Sequence, residues 1–271
     1  MARTTAEKRA AFRQLHASGC FLIPNPFDAG SARYLESLGF QAVATSSAGF
    51  AWTQARADNH LTREAVLQHL RELVAATDVP VNADYENGFG DTPDAVAESV
   101  KLAVETGVAG LSIEDTTGDA DGALFPIDIA VARMQAARRA IDATGGDTLL
   151  IGRAENAIRS QADLDDAIAR LRAYAEAGAD CLYAPAVQTR EQIAAVVAAV
   201  APKAVNVLIG SQSAFTLDDM AALGVRRVSV GGALARAAWG GVMQAAQALA
   251  QGRFDGFTST ASGKDLNALF G

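Results

Sequence analysis

The stretch AVETGVAGLSIED, residues 103–115, closes a helical pattern at Gly107 and passes straight into a short apolar run that ends on two carboxylates, Glu114 and Asp115. A glycine just past a helix end readily takes the left-handed backbone that other residues resist, so the joint reads as helix, sharp stop, strand. The same phrase returns as LESLGFQAVATSS (35–47), YAEAGADCLYAPA (174–186) and MAALGVRRVSVGG (220–232). Between these four joints lie four further apolar runs: CFLIPNPFD (20–28), VPVNADYE (79–86), DTLLIGRAEN (147–156) and AVNVLIGS (204–211). Segments such as TREAVLQHLRELVAATD separate them, with apolar positions at helical spacing. The chain therefore reads as eight strands, each followed by a helix.

Eight such units in 271 residues predict an α/β fold of the (β/α)8 barrel type, because short continuous apolar strands suit a parallel sheet covered by helices. The rival, a doubly wound open sheet, usually carries a Gly-rich phosphate turn, and no GxGxxG or GxxxxGK[ST] follows any strand. We expect one domain over 1–271, with a C-terminal helical extension at about 232–271. A formal charge of -8 argues against nucleic acid and anionic membrane as partners, since both demand clustered Lys and Arg. No run approaches the ~18–20 apolar residues of a membrane helix, and the N-terminal MARTTAEKRAAFRQLHASG lacks an apolar signal core, so a cytoplasmic protein is expected. Cys20 and Cys181 are too few for a disulfide framework, and His16, His60 and His69 fall away from the strand ends.

Polar residues gather where a barrel would build a site: Asn25 and Asp28, Ser46 and Ser47, Asp84 and Glu86, Glu114 and Asp115, Arg153 and Glu155, then Asn206, all at strand ends. Singly, each has a bland reading as a cap or turn residue. Side chains alternate along a strand, so Asp84 and Glu86 should face the barrel interior with Tyr85 turned to the helices. Glu114, one strand over, joins them. Three anions so close raise one another's pKa unless a cation compensates, and an all-oxygen set without His or Cys suits Mg²⁺, with Mn²⁺ as the alternative. The guanidinium fork of Arg153 suits a carboxylate or phosphonate, or else a pairing with Glu155 or Glu114. The Ser46-Ser47-Ala48 turn offers amides and hydroxyls to an anionic head. Together these describe a site for a small acid with two anionic ends.

The segments NPFDAGSARYLESLGFQAVATSSAGFA, VNADYENGFGD, GLSIED, GRAEN, YAEAGAD, NVL and LGVRRVSVGGALARAA resemble, in order and spacing, the isocitrate lyase/phosphoenolpyruvate mutase superfamily over about residues 20–245. The resemblance implies a barrel whose last helix is exchanged between subunits, a homotetramer built as a dimer of dimers, and Mg²⁺ holding a 2-oxo or enolpyruvate-like acid. It implies Asp84 as the direct metal ligand, with Glu86 and Glu114 acting through bound water. It also implies Ser46, Ser47 and Ala48 on the substrate carboxylate, Arg153 on the departing group, Asp58 near metal and substrate, and Asn206 among the substrate-binding residues. Glu86 stands where many members have Asp. Trp239, on an Ala-rich final helix, reads as an interface residue.

The loop after GLSIED departs from the family. Isocitrate and methylisocitrate lyases carry K-[KR]-C-G-H there, and phosphoenolpyruvate mutase has Lys, Asn and Ser; residues 116–128 here read TTGDADGALFPID, a Gly- and Asp-rich stretch able to close as a lid that excludes water without donating a proton. The reading that follows is a Mg²⁺-dependent lyase cleaving a C–C bond of a small 2-oxo or 2-hydroxy dicarboxylate through a pyruvate-like enolate. Decarboxylation of an oxaloacetate-like acid is easier to explain than retro-aldol cleavage, because loss of CO₂ needs no enzyme base; Tyr183, Glu155 or water would supply one otherwise. The alternatives are P–C chemistry on phosphonopyruvate or carboxyphosphonoenolpyruvate, and a barrel that binds an organic acid without turnover.

Overall fold

The helix-to-strand joint that opens the sequence argument forms as read: Gly107 takes a φ of +93°, and the chain turns from α5 (Pro93–Glu105) into β4 (Gly110–Glu114). The computed structural model describes residues 2–118, 123–258 and 260–271. The remaining strands are β1 (Phe21–Ile23), β2 (Val43–Ala44), β3 (Val81–Asp84), β5 (Leu149–Arg153), β6 (Cys181–Tyr183), β7 (Ala204–Leu208) and β8 (Arg227–Ser229). The helices around them are α1 (Thr5–Ala17), α2 (Ala29–Ser37), α3 (Ser47–Thr53), α4 (Arg63–Ala76), α6 (Ile127–Ala143), α7 (Gln161–Glu176), α8 (Arg190–Val200) and α9 (Leu217–Ala222). After β8 come α10 (Ala233–Ala250) and α11 (Gly263–Phe270). Thr4, Asp28, Ser160, Thr189 and Thr216 each begin a helix with a reciprocal capping box, a device of about 1 kcal/mol per cap.

The eight strands pair in parallel in the order β1-β8-β7-β6-β5-β4-β3-β2. The remaining seam, between β1 and β2, is joined by Ala44 N–H donating to Pro24 O at 3.0 Å. Asn25 completes it: its amide donates to Thr45 O at 2.7 Å, and its Oδ1 accepts from Val230 and Gly231 N–H at 2.9 Å each. One side chain thus ties the ends of β1, β2 and β8 together, and the sheet is a (β/α)8 barrel.

Alternation along the strands splits the core in two. Val81, Leu111, Leu150, Leu182, Val205 and Val228 face the helices, while Ile23, Leu149, Ile151, Cys181 and Tyr183 face inward with Phe12 of α1. The helix layer is incomplete at one place. Leu22, the middle residue of β1, is 38% exposed, and α10 exposes Trp239, Val242, Met243 and Leu249; within its own chain α10 packs on α3 and the 3₁₀ turn Asp255–Phe257. No helix among the described residues is long and apolar enough to cross a membrane.

Candidate active site

The strand ends converge at the mouth of the barrel. Asp84, last in β3, accepts from Ser47 N–H on Oδ2 at 2.9 Å and from Arg153 on Oδ1 at 2.9 Å, while its own N–H donates to Thr45 Oγ1 at 2.8 Å. Arg153, last in β5, also meets Glu114 Oε2 at 3.3 Å and donates from Nε to Glu155. Burial works against its charge, but Glu155, Glu114 and Asp84 outweigh that and hold the guanidinium firmly protonated. The sequence left Arg153 between a ligand role and a pairing with Glu155 or Glu114; the structure has it paired with both, and with Asp84.

The loop after β3 leaves the strand at Asp84. Glu86 has a φ of +45°, so it does not continue the pleat as the alternation predicted; the turn carries it into the rim by another path. Tyr85 does face the helices, with its hydroxyl on Ser99. Arg133 of α6 braces the loop by donating to Asn87 O and Gly90 O at 2.6 Å each. Gly90 is required by contact: a Cβ there would lie 2.7 Å from backbone atoms of Ala95 and Val96.

Glu86 is buried, and its Oε1 has no hydrogen-bond partner. Burial, with Asp84, Glu114 and Asp58 nearby, pushes its carboxyl up to about 8. Burial likewise raises Glu114 to about 7 against the pull of Arg153; Glu114 Oε1 accepts from Thr116 Oγ1 at 2.8 Å. Partial desolvation raises Asp58 too, although its side chain is exposed at the rim. The rim therefore holds Asp58, Asp84, Glu86, Glu114 and Glu155 around Arg153. Among the described residues no group of three or more His, Cys, Asp or Glu is arranged to hold a metal ion directly. An excess of oxygen donors with one orphaned buried carboxylate oxygen nevertheless fits a hard cation that keeps most of its waters.

Beside these groups lies a cavity of about 160 Å³, below the usual range for drug-sized ligands and suited to a small acid. Ser46, Ser47, Ala48, Asp58, Asp84 and Arg153 are on its wall, as is Asn25. Glu86, Glu114 and Asn206 are not. Asn206 lies lower in the barrel, accepting from Arg227 Nε at 2.8 Å and donating to Ser229 Oγ at 3.0 Å, because a mid-strand residue of β7 points across the lumen and not at the mouth. Three other expectations change. Asp115 turns into the helix layer, where Tyr174 and Arg170 hold it at 2.6 and 3.1 Å. Asp28 caps α2. The Ser46-Ser47-Ala48 turn is already partly engaged, Ser47 N–H by Asp84 and Ser46 Oγ by Gly49 N–H at 3.1 Å. Of the 116–128 loop, Thr116 pairs with Leu124 and Phe125 N–H donates to Asp115 O; residues 119–122, the tip of the expected lid, lie outside the described residues.

Sequence reasoning missed five polar wall residues, Thr45, Asn82, Ser112, Arg227 and Ser229. Arg227 was read only as part of a strand, GVRRVSV, and neither of its two arginines was singled out. The only available signal was alternation: Arg227 shares the inward parity of Ser229, whereas Arg226 reaches out to Gly19 O.

The protein-family model described as phosphoenolpyruvate phosphomutase matches residues 12–250. An oxaloacetate decarboxylase of Paraburkholderia xenovorans (strain LB400) is 33% identical over 233 residues, covering 83% of this chain and 75% of that protein. A 2-methylisocitrate lyase of Bacillus subtilis (strain 168) is 30% identical over 194 residues, covering 69% of this chain and 62% of its own length. Among solved structures, a Burkholderia cenocepacia J2315 protein described as a lyase/mutase superposes with a TM-score of 0.92 at 49% identity, over 98% of this chain and 96% of that one. Barrel, rim carboxylates and matched length agree, and the chain belongs to the isocitrate lyase/phosphoenolpyruvate mutase superfamily.

Proposed function

We propose that the protein is a carbon–carbon lyase that decarboxylates a small 2-oxo dicarboxylate of the oxaloacetate type. The observation that carries this reading is that Arg153 holds both side chains expected as a base: Glu155 is its ion-pair partner, and the Tyr183 ring lies 5.1 Å from the guanidinium, with burial raising its phenol. Retro-aldol cleavage needs a base to take a hydroxyl proton, and a phenol held protonated cannot be one at neutral pH. Glu155, the other side chain expected as a base, is engaged by Arg153, which leaves only water for that role. Loss of CO₂ needs no base: the C–C pair flows into the adjacent carbonyl, giving an enolate that takes a proton at carbon. Asp58, on the cavity wall and open to solvent, is placed to relay that proton. The 33% identity to an oxaloacetate decarboxylase supports the same reading.

The residues that would hold Mg²⁺ (or Mn²⁺) are Asp84 directly, with Glu86 and Glu114 through bound water. When bound, the ion supplies a Lewis acid for the charge that develops on the 2-oxo oxygen. Ser46, Ser47 and Ala48 orient the acid, and Arg153 fixes Asp84 and Glu114 in place. The test is release of pyruvate and CO₂ from oxaloacetate, corrected for the spontaneous reaction, with methylisocitrate and phosphonopyruvate in parallel. We expect Mg²⁺-dependent turnover of oxaloacetate that Asp84→Ala lowers by at least about a hundredfold. Metal-independent turnover, or full activity in the variant, refutes it.

We further propose that α10 is exchanged with a second copy within a dimer of dimers. The exposed face of Trp239, Val242, Met243 and Leu249 and the uncovered Leu22 support it, since one copy's α10 would cover what the other leaves bare. Light scattering after size-exclusion chromatography checks it: Met243→Asp should yield smaller species, and an unchanged mass counts against the exchange.

A further inference from the structure

Two guanidinium groups reach the cavity wall, and their surroundings are opposite. Arg153 is shared among Asp84, Glu114 and Glu155. Arg227 makes no ion pair among the described residues, although it is only 2% exposed. It stands at the first position of β8, inside the barrel, with Nε on Asn206 Oδ1 at 2.8 Å and Nη1 on Asn82 Oδ1 at 3.2 Å. Both partners are neutral amides. The ionisable groups around it are neutral as well: burial raises the Cys181 thiol and the Tyr183 phenol, and burial together with Arg227 itself lowers His16 to about 3.

A buried cation is strongly unfavourable unless an opposite charge meets it, and an apolar side chain of similar volume would fill the lumen at less cost. The barrel provides no such charge from its own side chains, but Arg227 borders the cavity. Its level follows from Asn82, which precedes Asp84 by two residues on β3 and so lies about 6.6 Å lower along the strand. Positive charge therefore forms the floor of a cavity whose rim is dominated by carboxylates.

We infer that Arg227 is the anion-holding residue of the cavity floor, taking a carboxylate oxygen of the bound acid from below. This rests on the reading of the cavity as a site for a small carboxylic acid, and it names the cation that acid meets, because Arg153 is already occupied by protein carboxylates. The consequence is selectivity. A planar carboxylate satisfies the fork, whereas an ester or amide in its place leaves a buried charge unpaired.

The test is calorimetric binding of oxalate at saturating Mg²⁺ to the wild type, Arg227→Gln and Arg227→Lys, each first shown to melt cooperatively. Arg227→Gln should weaken oxalate by about tenfold or more and raise the KM for oxaloacetate, while Mg²⁺ binding without oxalate stays as tight as in the wild type. Arg227→Lys should recover part of the loss. A folded Arg227→Gln protein that binds oxalate like the wild type, or loses Mg²⁺ and oxalate affinity together, overturns the inference. A crystal of the wild type with Mg²⁺ and oxalate needs no variant: an oxalate oxygen within about 3.2 Å of the guanidinium supports it, and Arg227 bonded only to Asn82 and Asn206 overturns it. Oxalate held by Arg227 without turnover of oxaloacetate would remove the decarboxylase reading and leave this one. Turnover with oxalate affinity unchanged in Arg227→Gln would do the reverse.

Discussion

Replacing Arg153 with Met should destabilise the metal-free protein more than any other single change at the rim. The guanidinium meets Asp84 at 2.9 Å and Glu114 at 3.3 Å and donates to Glu155, with every side chain in the group at most 21% exposed. Removing one partner of a buried ion pair leaves its charge uncompensated, at a cost of about 3–5 kcal/mol. The carboxylates can limit that cost by taking up protons, so the low end applies at pH 6 and the high end near pH 8. At about 2 °C per kcal/mol for a chain of this length, the melting temperature in EDTA should fall by roughly 6–10 °C, and more at pH 8 than at pH 6. Mg²⁺ should reverse part of the loss, because a bound cation compensates the same oxygens; at a hundred times its Kd it contributes about 2.7 kcal/mol. Circular-dichroism melts at both pH values, with EDTA and with Mg²⁺, read all three effects. A variant that melts within about 2 °C of the wild type in EDTA, or one that Mg²⁺ does not raise, refutes the view that this cation organises the rim.

Three other outcomes are expected. Glu86 and Glu114 sit at about 8 and about 7 in the folded chain, above the ordinary ~4.3 of an unfolded Glu. Between those values the folded metal-free protein holds protons that the unfolded chain has lost, so its stability falls as pH rises from about 4.5 to 8. Mg²⁺ binding, which needs the carboxylates ionised, should tighten over pH 6–9; a melting temperature in EDTA that rises from pH 5.5 to 8.5 would contradict this. Gly90→Ala should cost about 1–3 kcal/mol of stability, since its methyl would press at 2.7 Å on the backbone of Ala95 and Val96, and an unchanged urea midpoint would show that the loop yields freely.

The barrel was legible because its signal is local and repeated. Gly39, Gly107, Gly178 and Gly224 each stop a helix ahead of an apolar strand, and that pattern follows from φ preference and burial alone. The rim was partly legible for the same reason: Asp84 and Arg153 end their strands, so their direction follows from alternation. Alternation gave no purchase once the backbone left the strand. Glu86 turns at a positive φ, and Asp115, one residue beyond β4, is drawn into the helix layer by Tyr174 and Arg170, residues more than fifty positions away.

Residue order by itself determined the number of units, their parallel sense, the apolar strands and the acidic character of the mouth, all properties of windows of a dozen residues. Only the closed barrel decided which charges meet. It set Arg153 among three carboxylates and left Arg227 beneath them with two neutral amides. The physical reason is that an ion's state depends on the charges and the solvent within a few ångströms of it, and in this fold those neighbours come from strands that are far apart along the chain.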